Sequence, residues 1–359
     1  MKKALKWLGI VVAVLLVGVL GFYGWATSTA SALGERTLES HEVDFPVPFP
    51  LTDEEVEVLR AERLAVRPSD SEPPTTEEYA AAEGEPVPAP APAPDPLEGV
   101  DLDALALERA VARGEHLVNA RYGCTECHGA DFSGGEMIND AAFAIILGPN
   151  LTAGEGGLVA DYDMADWDRS VRHGILPSGR QSAMPSGDYV LMTDRELSDI
   201  IAYIGSMDPV DNVVLAPTLG PVATILTALG KFPFSADLIG EHRHDHVANP
   251  PEAEPTVEFG RHLAGVCTGC HREDFTGGPI AAGDPSWFPA ANLTNHEDGL
   301  AGWTYDDFVT SLRELRRPDG SEIRPPMALI APYAAEMTDT EMQALWAFIE
   351  SLEAQPTGL

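Results

Sequence analysis

The sequence predicts an all-α protein with two tandem, related helical domains. They follow an N-terminal transmembrane helix and a Pro/Ala/Glu-rich linker. Three observations predict this. Short segments of the first half recur in the second half in the same order. Each half closes on a Thr-Asp pair leading into apolar residues at i, i+3, i+4 and i+7, the stripe of a capped helix. The chain opens on a long uncharged apolar run, and no strand-like alternation is prominent within either half. The expected divisions are a membrane anchor or signal segment over 1–30, an acidic helix and Pro-rich stalk over 31–100, a first domain over 101–208, an inter-domain linker over 209–253 and a second domain over 254–355.

Lys2, Lys3 and Lys6 precede an uncharged run from Trp7 to Trp25, rich in Val, Leu and Gly. Its length approaches that of a bilayer span, and Trp7, Tyr23 and Trp25 sit at its ends where amphipathic aromatics favour the interface. The basic flank stays in the cytoplasm, which puts the remainder outside. A cleaved signal peptide competes, since Ala30-Ser31-Ala32 offers a processing site; the run is long for that role and a retained anchor is favoured. Thr52 with Glu55 forms a capping box ahead of Val56, Leu59 and Leu64, predicting a short helix over 53–66. Residues 67–98 are rich in Pro, Ala and Glu, including the Pro-Ala alternation of 86–94. They favour extended polyproline II, a semi-rigid spacer rising about 3.1 Å per residue.

The repeat is read directly. Gly114-Glu115-His116-Leu117 matches Gly260-Arg261-His262-Leu263, and Asp131-Phe132-Ser133-Gly134-Gly135 matches Asp274-Phe275-Thr276-Gly277-Gly278. Asn150-Leu151-Thr152 matches Asn292-Leu293-Thr294. Amphipathic stretches follow at 163–173 and 305–315. Thr193-Asp194 then leads into Leu197, Ile200, Ile201 and Ile204, and Thr338-Asp339 into Met342, Leu345, Trp346 and Ile349. Between the halves, the apolar, Pro/Gly-interrupted linker is too short to span a membrane and is expected to pack across both domains.

Inside the repeat lie the residues that carry chemistry. Cys124-Thr125-Glu126-Cys127-His128 and Cys267-Thr268-Gly269-Cys270-His271 are both C-x-x-C-H, and together they use all four cysteines of the chain. That spacing reads as c-type haem attachment. Two thiols on adjacent edges of a helical turn form thioethers with the vinyl groups, and the following histidine supplies a nitrogen to the iron. The expected cofactors are therefore two covalently bound haem c groups. A methionine as second axial ligand raises the potential by favouring ferrous iron. Met184 and Met327, in Pro-flanked loops ahead of the last helix of each half, are the candidates. Met192 and Met337 are the rivals, although their place directly before the Thr-Asp caps suits hydrophobic staples. The proximal imidazole needs its other nitrogen held, and the Pro149 carbonyl is a candidate with Pro289 as its counterpart. His116 and His262 match across the repeat and read as polar residues on the first helix of each half. His242, His244 and His246 alternate in an acidic stretch and suggest adventitious metal binding only.

Each half resembles a class I cytochrome c domain, and the layout resembles the membrane-anchored dihaem cytochromes c of bacteria over roughly residues 105–354. The resemblance implies that Cys124, Cys127, His128 and Met184 serve one haem and Cys267, Cys270, His271 and Met327 the other. The second half departs from the pattern in that Pro289 lies three positions before Asn292 and Pro326 precedes its methionine. The function implied is one-electron transfer between periplasmic or membrane redox partners, with the anchor in the bacterial inner membrane, the haem domains in the periplasm and no catalytic residues. A dihaem enzyme such as a cytochrome c peroxidase, a haem-based sensor, or a cytochrome subunit of a dehydrogenase complex are the alternatives. No flavin, quinone or dinucleotide motif is present. The formal charge of -35, from 57 acidic and 22 basic residues, argues against nucleic acid, which needs clustered cations, and for partners with basic docking surfaces.

Overall fold

A computed structural model describes residues 2–41, 43–66, 95–242, 246–280 and 287–358. Most of the expected Pro-rich stalk, and His244 of the linker, lie outside the described residues. The chain is mostly helical. α1 (Lys2–Glu35) runs unbroken through the apolar stretch and beyond it. It is long and apolar enough to cross a membrane, and the large apolar side chains from Trp7 to Val19 are exposed. Its last turns differ. Ala26 and Ala30 are buried where α1 packs on α7 (Pro221–Ala228) of the linker, and the Leu33 carbonyl accepts a bond from Gln181 Nε2 at 3.0 Å. α2 (Asp53–Val66) begins at Thr52, whose N–H donates to Glu55 Oε2 at 2.7 Å while its hydroxyl accepts from Glu55 N–H at 3.2 Å.

The two halves are built alike. α3 (Leu102–His116) crosses α6 (Asp194–Gly205), and α8 (Val257–Leu263) crosses α12 (Asp339–Glu350). The crossings are close because each has a glycine at its centre. A Cβ on Gly114 would collide with the Asp199 carbonyl, and one on Gly260 with the Ala344 carbonyl. This explains why the Gly-x-His-Leu segment recurs. Capping boxes Thr193/Glu196 and Thr338/Glu341 start α6 and α12. α5 (Met164–Arg172) and α10 (Tyr305–Arg313) are tied to those caps by an arginine each: Arg172 donates to the Met192 carbonyl at 3.1 Å and Arg313 to the Met337 carbonyl at 2.7 Å. One apolar cluster gathers Leu117, Val118, Phe132, Trp167, Met192, Leu197 and Ile200. The other gathers Phe259, Leu263, Phe275, Phe308, Met342, Leu345 and Phe348.

The first half departs from an all-helical design. β1 (Gly135–Asp140), β2 (Ala144–Gly148) and β3 (Thr218–Leu219) form an antiparallel sheet in the order β1-β2-β3. The signal was short: in Ala-Ile-Ile-Leu-Gly the alternate residues Ala144, Ile146 and Gly148 are buried, too few to stand out as periodicity. In the second half Gly278 and Ala290 form an isolated bridge where the first pairs Gly135 with Gly148.

The halves also meet each other with approximate two-fold exchange. His116 Nε2 lies 2.9 Å from the Glu341 carboxylate, and His262 Nε2 lies 2.8 Å from that of Glu196. Each histidine lies on the first helix of its half, as expected, and reaches the capping-box glutamate of the opposite half. Arg121 adds an ion pair to Glu196 at 2.7 Å and lies over the ring of Phe259.

Candidate functional site

Both C-x-x-C-H segments close a helical turn, α4 (Cys124–His128) and α9 (Thr268–His271). Both histidines are buried and held the same way. His128 Nδ1 donates to the Pro149 carbonyl at 3.0 Å, and His271 Nδ1 donates to the Ala291 carbonyl at 2.7 Å. A carbonyl can only accept, so the proton sits on Nδ1 and the lone pair on Nε2 is available to a metal. Burial, partly opposed by the carbonyl bond, pushes both imidazole pKa values below the ordinary histidine value. The neutral form that a metal requires is therefore favoured.

The expected partner Pro289 is not the one used. Ala291 is, because what matters is the place in the chain and not the side chain: Ala291 directly precedes Asn292, as Pro149 directly precedes Asn150. The asparagine fixes that carbonyl. Asn150 Nδ2 donates to the Val210 carbonyl and Asn292 Nδ2 to the Gln355 carbonyl, each at 2.7 Å, while each Oδ1 accepts from the N–H of Thr152 or Thr294 at 2.9 Å. Leu151 N–H and Leu293 N–H bond the Phe132 and Phe275 carbonyls at 2.8 Å, locking both loops in one shape. The shared Asn-Leu-Thr is the signal that could have located the second carbonyl.

The four thiols are free and do not suit redox or nucleophilic work. Burial raises the Cys124 and Cys267 pKa values to about 12, and those of Cys127 and Cys270 are also raised. A reactive C-x-x-C needs the opposite shift. Neutral thioethers carry no such penalty, and Cys124 and Cys267 each pack against the apolar cluster of their half. The donor set, two neutral sulfurs and one carbonyl-oriented imidazole beside an apolar core, fits a covalently held haem.

Met184 sits half-buried in its loop, where its N–H donates to Ser182 Oγ at 3.1 Å and its carbonyl accepts from Ser186 N–H at 2.8 Å. Met327 opens a 3₁₀ turn, Met327–Ile330, beside the second apolar cluster. Met337 packs partly buried against the second cluster, as Met327 does. Met192 is buried in the first cluster, and the backbones of Met192 and Met337 receive the arginines described above.

Residues 109–204 match the family model described as cytochrome c oxidase, cbb3-type, subunit III, and residues 257–353 match the model for cytochrome c. The chain is a c-type cytochrome. It is 27% identical over 281 residues to the gluconate 2-dehydrogenase cytochrome c subunit of Pantoea cypripedii, covering 70% of this chain and 62% of that protein. It is 25% identical over 271 residues to the fructose dehydrogenase cytochrome subunit of Gluconobacter japonicus, covering 70% and 54%. A diheme cytochrome c-type protein of Cereibacter sphaeroides is 23% identical over 267 residues, covering 68% of this chain and 86% of that one. The matches thus span between half and two thirds of the dehydrogenase subunits.

Proposed function

We propose that this c-type cytochrome carries two haem c groups in two tandem class I domains and relays electrons one at a time between redox proteins at the periplasmic face of a bacterial inner membrane. Cys124, Cys127 and His128 would hold the first haem with Met184 as second axial ligand, and Cys267, Cys270 and His271 the second with Met327. When bound, the iron supplies a reversible ferric–ferrous couple. The chain's own residues bury and orient it: Asn150 and Asn292 set the carbonyls, the carbonyls set the imidazoles, and the apolar clusters limit water. The observation that carries the reading is the histidine-to-carbonyl bond made twice, at equivalent places of the repeat.

The continuity of α1 supports a retained anchor. Processing after Ala32 would cut a helix whose Ala26 and Ala30 are packed on α7. Relatives named as cytochrome subunits of dehydrogenases favour a place beside a dehydrogenase as the second reading. The large negative charge would steer basic docking surfaces in either case.

Intact-mass measurement and a pyridine haemochrome assay test the cofactor count, with two haems expected. A sulfur-to-iron charge-transfer band should disappear stepwise in Met184→Ala and Met327→Ala. A protein with no added haem mass from a haem-competent host would overturn the proposal, and a band unchanged in both variants would overturn the methionine ligands.

A further inference from the structure

We propose that His41, Asp168, His173 and His246 form a structural zinc site apart from both C-x-x-C-H motifs. Their four ligand atoms lie within 4.8 Å of one another. They come from three places in the chain: the segment between α1 and α2, the end of α5, and the linker. Asp168 and His173 are fully buried, and the His246 side chain is only 3% exposed.

The proton positions favour a cation. His242 Nε2 must donate to the Ala236 carbonyl, 3.1 Å away, because a carbonyl only accepts. Its Nδ1 is then an acceptor, and it takes the Nδ1 proton of His173 at 3.3 Å. That leaves a lone pair on His173 Nε2, which faces His246 Nε2 at 3.0 Å. His41 Nδ1 points at the His242 carbonyl, 3.4 Å away, leaving its Nε2 as the ligand atom. Ligating histidines hold their second nitrogen in this way.

The carboxylate completes the set. Asp168 Oδ1 accepts from Arg172 Nε at 2.7 Å, whereas the buried Oδ2 makes no hydrogen bond. It lies 3.6 Å from His173 Nε2, and Oδ1 lies 3.7 Å from His246 Nε2. Zinc bonds of 2.0–2.1 Å place tetrahedral ligands about 3.3–3.4 Å apart, within the spread of 3.0, 3.6 and 3.7 Å. Arg172 does not exclude a dication, since Asp194 Oδ1 at 2.8 Å shares its charge with Asp168. Among the described residues, three imidazoles and one carboxylate supply the four ligands of a structural zinc site. Bound zinc would clamp the membrane-proximal segment and the linker onto the first half.

The test is the metal content of the purified full-length holoprotein, by mass spectrometry of zinc and iron, followed by chelator treatment and calorimetric titration with Zn²⁺. One tightly bound zinc per chain is expected, reduced at least tenfold in affinity in His246→Gln and in Asp168→Asn. Iron content and the Soret spectrum report folding in both. His296→Gln, in the second half, should bind zinc like the parent. No zinc uptake by the parent, or parent-like affinity in both ligand variants with normal spectra, would overturn the site.

Discussion

Glu196 is the group on which the contact between the two halves turns, and Glu196→Gln isolates its charge. Burial would raise this carboxyl, but Arg121 and His262 outweigh burial and hold it near a pKa of about 2, against 4.5 for an ordinary glutamate. Its folded pKa is depressed, so the stabilisation is complete above the unfolded value and is lost as pH falls from about 4.5 towards 2. The difference corresponds to roughly 3 kcal/mol, since each pKa unit is worth about 1.4 kcal/mol. The side chain is 3% exposed and its partner Arg121 8% exposed, so solvent screening takes little from this figure. Glutamine still serves the capping box at the start of α6, because Thr193 N–H needs only one oxygen to accept its bond. What it removes is the charge facing Arg121 and His262, and breaking a buried pair costs about 3–5 kcal/mol. Urea unfolding of the holoprotein at pH 7, followed by far-UV circular dichroism and the Soret band, should show a loss of about 3 kcal/mol. The gap to the parent should close between pH 5 and pH 2.5. A variant within about 0.5 kcal/mol of the parent at pH 7, or a gap constant with pH, would refute the reasoning.

Other perturbations have equally definite outcomes. Gly260→Ala puts a methyl on the Ala344 carbonyl and should cost about 1–3 kcal/mol of stability by forcing α8 from α12, read as a lower Tm. Asn292→Ala removes the side-chain bond to the Gln355 carbonyl that holds the loop carrying the Ala291 carbonyl, and should shift the potential of one haem while leaving the other in place, seen in a spectroelectrochemical titration. Cys267→Ala combined with Cys270→Ala should leave a protein whose mass carries a single haem, because each pair of thiols serves its own half. Reduction by a basic partner should slow as ionic strength rises from 10 to 200 mM, with stopped-flow rates falling several-fold if the charge of -35 steers the encounter.

Much of the site was legible because its chemistry is local in sequence. C-x-x-C-H places two sulfurs and an imidazole on one helical turn whatever surrounds them, and the Thr-Asp caps announce α6 and α12. The repeat made each half a control on the other. The carbonyl that holds His271 escaped the comparison of prolines because a backbone acceptor carries no side-chain signature; Ala291 serves as well as Pro149. The strand β2 escaped because three buried positions in five residues form no period long enough to separate from a helix.

The amino-acid sequence by itself determined the capped helices, the repeat, the candidate ligands and the apolar N-terminal segment, since these follow from spacing, capping and hydropathy within short windows. Only the tertiary structure decided that His116 and His262 exchange partners across the halves, and that His41, Asp168, His173 and His246 share one buried volume. Those groups lie up to some two hundred residues apart, and no local pattern encodes a meeting set by how helices pack and where a linker is laid down.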